Sequence, residues 1–139
     1  EPLREMGISG ENVFFHNQVE HRFIPSILSQ ANILFLPLAF HSTIPEVLRT
    51  SAPGKMGEYL TSGRPILVHA PQDSYVSWFF STYHCGKVVS KCESDALKRA
   101  LEEMIHSPGN FVHSVNNAFE RSKMFSLETN VKKLKMIME

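Results

Sequence analysis

The stretch Pro53-Gly54-Lys55-Met56-Gly57-Glu58-Tyr59-Leu60-Thr61-Ser62-Gly63-Arg64-Pro65, running directly into Ile66-Leu67-Val68-His69-Ala70, limits the fold more than any other part of the chain. Its spacing predicts a helix over 55–62. Proline and glycine stand at the start, where free backbone N–H groups are exposed. Gly63 suits the left-handed position that closes a helix, and Pro65 prevents continuation. The run 66–70 is apolar and short, so it reads as a strand following a helix after a tight turn. Lys55 puts a cation at the helix start. Glu58 lies one turn further on and shares a face with it. A helix start with a lysine favours a phosphate, and a carboxylate one turn away accepts hydrogen bonds from sugar hydroxyls. These residues together point to a nucleoside-diphosphate site.

The same alternation runs through the first hundred or so residues. Val13-Phe14-Phe15 opens a predicted strand over 13–19, approached through Gly7 and Gly10. A helix over 21–31 places Phe23, Ile24, Ile27, Leu28 and Ala31 at helical spacing. The apolar run 33–38 predicts a strand buried on both faces. A loop follows over 39–52. Beyond the strand at 66–70 come a helix over 73–83 with Asp73 or Ser74 as cap, a strand over 87–90, and a helix over 95–106 with Ser94 as its cap. Pro108-Gly109 ends that helix. Helices over 111–124 and 127–138 follow, the first burying Val112, Val115, Ala118 and Phe119, the second offering Val131, Leu134 and Met138. Strand–helix alternation implies an α/β domain with a parallel sheet covered on both faces. Ligands bind such sheets at the carboxyl ends of the strands. The expected organisation is a nucleotide-binding unit over 1–107 with C-terminal helices over 108–139 packing on it.

Composition narrows the partners. The chain has 139 residues, enough for one core. Fourteen basic and fourteen acidic residues give a formal net charge of zero, so overall charge makes no case for nucleic acid or an anionic membrane as the main partner. Cys85 and Cys92 are too few for a disulfide framework and lack metal-ligand spacing; two plain thiols in a reducing, cytoplasmic compartment are expected. No apolar run approaches the ~18–20 residues that cross a bilayer, and no signal peptide is visible. The seven histidines, among them His16, His41, His69 and His84, are scattered without ligand spacing, so no metal site is expected.

Taken in order, Val13-Phe-Phe, Ile24-Pro-Ser-Ile-Leu-Ser-Gln-Ala-Asn-Ile-Leu-Phe-Leu-Pro, Lys55-Met-Gly-Glu-Tyr-Leu-Thr-Ser-Gly-Arg-Pro-Ile-Leu and Gly86-Lys-Val-Val resemble the C-terminal domain of retaining GT-B glycosyltransferases of the glycosyl transferase group 1 (GT4-like) type. The resemblance runs from about Gly7 to Met138. It implies a Rossmann-like donor domain whose first strand and glycine-rich turn lie upstream of Glu1, as does an acceptor domain that could supply peripheral membrane contact. The implied substrate is a UDP- or GDP-type sugar transferred with retention, without a metal or other cofactor. A strand edge left open by the absent neighbour would favour self-association.

The resemblance also assigns residues. Glu58 matches the second glutamate of a pair that precedes the Gly-x-Pro turn, and would hold the ribose hydroxyls. The first glutamate falls at Thr50, a departure, with Glu46 the nearest substitute. Gly54, Lys55 and Met56 match the segment whose backbone approaches the donor's sugar and phosphate. Apart from the resemblance, Asn17, with Gln18, follows the first expected strand and would meet the base or phosphates. His69 ends a strand at the ligand edge. No side-chain nucleophile is evident. Two other readings stand beside this one: a non-catalytic nucleotide or interaction module, which Thr50 favours, and another doubly wound α/β domain. A receiver domain is disfavoured by the lack of an acidic cluster at the early strand ends.

Overall fold

The computed structural model describes residues 13–138. Gly7 and Gly10 lie outside them. The sheet contains β1 (Leu34–Pro37), β2 (Ile66–His69) and β3 (Lys87–Val89), in the order β1-β2-β3 and all parallel. The helices are α1 (Ile24–Leu28), α2 (Pro45–Thr50), α3 (Lys55–Thr61), α4 (Tyr75–Thr82), α5 (Ser94–His106), α6 (Val112–Ser122) and α7 (Leu127–Met138), with short 3₁₀ turns at His21–Phe23, Pro108–Phe111 and Lys123–Phe125. The chain therefore forms a small α/β domain. None of the helices among the described residues is long and apolar enough to cross a membrane.

Ile66, Leu67 and Val68 are all buried, as a strand covered on both faces requires. Ile66 and Val68 join Leu34, Leu36, Met56, Leu60, Val76, Phe79, Phe80 and Ala118 in the larger core. Leu67 faces the other way, into a smaller core with Val89, Ala100, Met104 and Phe111. Helices α3, α4 and α6 supply the first and α5 the second. Within α5, Ala100 and Met104 are the buried pair at i, i+4. Lys87 on β3 reaches Glu103 on α5 at 2.6 Å and ties helix to strand.

The ladder has a fixed sense. The Leu34 N–H donates to the Pro65 carbonyl at 2.9 Å and the Leu38 N–H to the His69 carbonyl at 2.8 Å. Even-numbered residues of β1 thus face β2, and alternation turns Phe35 and Pro37 toward the open edge. Pro37 has no N–H, so Phe35 alone donates outward from β1. That suits an edge strand, where proline is tolerated and pairing with a further chain is blunted.

Several expectations need correction. Residues 13–19 form no strand. Val13, Phe14, Phe15 and Val19 are exposed: β-branched and aromatic residues supply propensity, whereas a strand also requires a covered face. The run 33–38 is not buried on both faces. Its pattern alternates, with Phe35 42% exposed, since β1 is the edge strand. The loop over 39–52 contains α2, opened by Pro45 at its first position. Ser94 is the first residue of α5; Glu93 precedes it as the cap and makes no side-chain bond. Val112 and Phe119 are exposed, with Ala118 the buried residue of α6. Val131, Leu134 and Met138 on α7 are exposed as well.

Other expectations hold. Gly63 has φ +70°, the left-handed turn after α3. Both cysteines are free, Cys85 buried and Cys92 exposed. His84 also takes a positive φ of 49°. Its carbonyl accepts from Asn117 Nδ2 at 3.1 Å, and Arg121 lies 4.2 Å from the Tyr83 ring centre, so α6 holds the turn that leads into β3.

Two predictions follow from this packing. A Cβ on Gly86 would sit 2.8 Å from Phe80 Cδ1 and 2.9 Å from the Ile66 carbonyl oxygen. Backbone cannot yield as a side-chain tip can, so Gly86→Ala should lower unfolding free energy by about 1–3 kcal/mol in urea titration; an unchanged midpoint would show that β3 does not press on β2 there. Burial raises the Cys85 thiol to about 12. At about pH 8 a thiol reagent should therefore modify Cys92 alone in the native chain, and both cysteines once it is denatured.

Candidate functional site at the carboxyl edge of the sheet

All three strands are parallel, so their carboxyl ends and the loops that follow share one edge. The helix returning from this edge to the start of β2 is α3, so its first residues, Lys55 and Met56, belong to the ligand side.

His69, the last residue of β2, joins the loops. Its Nε2 lies 3.0 Å from the Lys91 carbonyl, beyond β3, and its ring lies 4.7 Å from that of Phe40, beyond β1. A carbonyl only accepts, so Nε2 carries the hydrogen and the imidazole donates. His69 thus clamps the loops that follow β1 and β3. The turn between β2 and α4 is fixed separately. Ser74 Oγ donates to the Pro71 carbonyl at 2.7 Å and accepts the Ser77 N–H at 3.1 Å, while Ser77 Oγ donates to the Ala70 carbonyl at 3.1 Å. Both serines are buried and both are satisfied. Ser74 is thus the helix cap.

Between these loops lies an open cleft of about 240 Å³, lined among others by Phe40, His41, Ser42, Arg49, Pro71 and Asp73. Arg49 Nε donates to Asp73 Oδ2 at 2.9 Å. That hydrogen bond, before any other influence, holds the Asp73 carboxyl below its ordinary value. The two residues are 24 apart in sequence. Asp73 is visible in the sequence as a helix-start residue, but nothing in the pattern pairs Arg49 with it.

The residues expected to contact a donor take different positions. Glu58 is the best placed: its side chain is 37% exposed, and its Oε1 lies 3.6 Å from His21 Nε2. No ion pair joins it to Lys55, which is exposed and makes none among the described residues. Gly54 is exposed and caps α3 without a side-chain bond. Met56 serves the core. Its side chain is in the core and its N–H donates to the Pro53 carbonyl at 2.9 Å. The N–H groups of Gly54 and Lys55 make no such bond among the described residues. Thr50 ends α2, and its hydroxyl donates back to the Glu46 carbonyl at 2.8 Å, a bond within the helix and not toward a ligand. Asn17 is exposed in the extended segment before α1 and makes no hydrogen bond among the described residues.

Sequence reasoning missed His21 as the neighbour of Glu58. The two lie far apart in the chain, and His21 falls inside a segment read only for its apolar stripe. No group of three or more histidine, cysteine, aspartate or glutamate side chains able to hold a metal occurs among the described residues. Comparisons with family models, curated proteins and solved structures gave no match.

The Arg49–Asp73 pair sets a pH expectation. A carboxyl lowered in the folded state contributes stability above its unfolded value of about 3.9, and loses it as pH falls through the lower folded value. In an NMR carboxyl titration the Asp73 midpoint should therefore lie below that of an unperturbed aspartate in the wild type and rise toward it in Arg49→Ala. Coincident curves would show that the two groups do not meet in solution.

Proposed function

We propose that this chain binds a nucleoside diphosphate at the start of α3, as the donor-binding part of a retaining glycosyltransferase with a Rossmann-like GT-B architecture. The observation that carries the reading is the position of Glu58: a partly exposed carboxylate one turn into a helix that starts at the ligand edge of a parallel sheet. The order and spacing of the motifs noted above, which resemble that family, support it further. In this reading Glu58 accepts hydrogen bonds from the ribose hydroxyls. The open N–H groups of Gly54 and Lys55 and the Lys55 ammonium face the diphosphate. Neutralising the diphosphate is what such a site contributes to transfer, because negative charge grows on the leaving group as the glycosidic bond breaks. The sugar-contacting glutamate expected near Thr50 is the weak part of the match. The Thr50 hydroxyl turned back on Glu46 favours, at that one position, a module that binds a nucleotide without transferring the sugar.

Calorimetric titration with uridine and guanosine diphosphates tests the reading. Charge-assisted bonds are worth about 1.5–3 kcal/mol each, so Glu58→Ala should weaken binding roughly tenfold or more. Glu58→Gln should fall between, since an amide oxygen still accepts. The 2′,3′-dideoxy nucleotide should bind wild type and mutant alike. The melting temperature should hardly move, because the ion-pair partner of Glu58 among the described residues is the exposed His21. Equal weakening for both nucleotides would replace ribose recognition with a general charge effect, and no binding by the wild type would overturn the proposal.

A further inference from the structure

Helix α7 buries none of its residues, yet it carries a strongly apolar side. Leu127, Leu134, Ile137 and Met138 are 80, 57, 81 and 78% exposed, and Val131 is 40% exposed. At 3.6 residues per turn these five side chains fall within an arc of about 120°, in which Asn130 is the one polar residue. Lys135 stands just past the Val131 border of that arc and Lys133 just past the Ile137 border. Neither makes an ion pair among the described residues, whereas Lys132, farther round, is held by Glu128 at 2.9 Å. Met136 is the one apolar residue on the far side. A protein surface rarely leaves so much apolar area on one side of a helix open without a partner.

We propose that α7 is an interfacial anchor that lays this arc into an anionic lipid surface. The observation that selects lipid is the pair of unpaired lysines, one on each border of the apolar arc. With the helix lying in the plane of the interface, both alkyl stems run along apolar surface and both ammonium groups rise to the headgroups. A protein partner would need a groove matching the arc and carboxylates matching both borders; a lipid surface meets both requirements without a specific shape. The zero net charge of the whole chain does not oppose this, because α7 holds three lysines against one glutamate. Two signals of this kind, apolar burial and local positive charge, give reversible and not permanent attachment. The inference is independent of nucleotide binding.

Vesicle co-sedimentation of the full chain provides the test. The chain should bind vesicles of phosphatidylcholine mixed with phosphatidylserine roughly tenfold more tightly than phosphatidylcholine alone, and salt should reduce the difference. Lys133→Glu with Lys135→Glu should abolish the preference. Leu134→Glu with Ile137→Glu should abolish binding to both vesicles. All four side chains are exposed, so each double variant should keep the wild-type melting temperature, and the lysine pair tests the proposal even if the apolar pair unfolds α7. Absence of binding to the anionic vesicles, or equal binding by the variants, overturns the proposal. So does a dimer in sedimentation equilibrium that ignores vesicles and separates on Leu134→Glu, which would assign the face to a second copy.

Discussion

Burial of β2 on both faces is the constraint on which the rest of the domain depends. Ile66 and Val68 project to one side, Leu67 to the other, and each side chain contributes about 1.5–3 kcal/mol only if its face is covered. A strand buried this way has no solvent to satisfy its backbone, so both edges must pair, and β1 and β3 do so. Parallel pairing in turn requires crossovers that carry the chain back over the sheet. The helices are therefore consequences of β2 as much as of their own periodicity. Close contact completes the constraint: Gly86 passes the Ile66 carbonyl with no room for a Cβ, which lets β3 follow α4 without displacing Phe80.

The legible and illegible parts of the fold divide along this line. β2, β3 and helices α3 to α5 were readable because their own residues carry the reason for their state: an uninterrupted apolar run, a left-handed Gly63, the i, i+4 pair Ala100 and Met104. The segment 13–19 was not, although Val13-Phe14-Phe15 has better strand composition than β3. Its state depends on a ladder partner, and composition is silent about partners. The apolar run at β1 misled for the same reason, since an edge position, not the sequence of β1, leaves Phe35 open. The carboxyl edge of the sheet, and the place of Glu58 one turn into the helix that starts there, could be inferred from spacing. The contacts of Glu58 with His21 and of Arg49 with Asp73 could not, because they join residues that only the folded chain brings together.

The carboxyl edge shows how rigidity is distributed around a site built of loops. The turn after β2 is fixed by two buried serines whose hydroxyls satisfy the carbonyls of Ala70 and Pro71, so it needs no ligand to order it. His69 then couples this fixed strand end to the neighbouring loops through one hydrogen bond and one ring contact. Its imidazole does the work of a crosslink between elements that share no covalent proximity. By contrast, Arg49 and Asp73 meet across the cleft while both remain exposed, and an exposed pair of this kind contributes little to stability. The clamp and the pair therefore differ in what they can be used for: the first sets geometry, and the second can exchange partners.

The same contrast separates the two ends of the helical layer. α6 is attached by Ala118 in the core, by Asn117 on the His84 carbonyl and by Arg121 on Tyr83, so the turn into β3 is held from outside the sheet. Beyond the 3₁₀ turn at Lys123–Phe125, where Phe125 makes an edge contact with Phe79 at 5.7 Å, no residue of α7 is buried. α7 keeps its helical form by its own hydrogen bonds and the Glu128–Lys132 pair, contributions of a few tenths of a kcal/mol at most per pair, while isolated helices of its length are marginal in water. An apolar face that no core claims is then the main reserve of stabilisation left to this helix. Whatever surface covers that face both anchors the chain and completes the helix, so binding and helix stability should rise together.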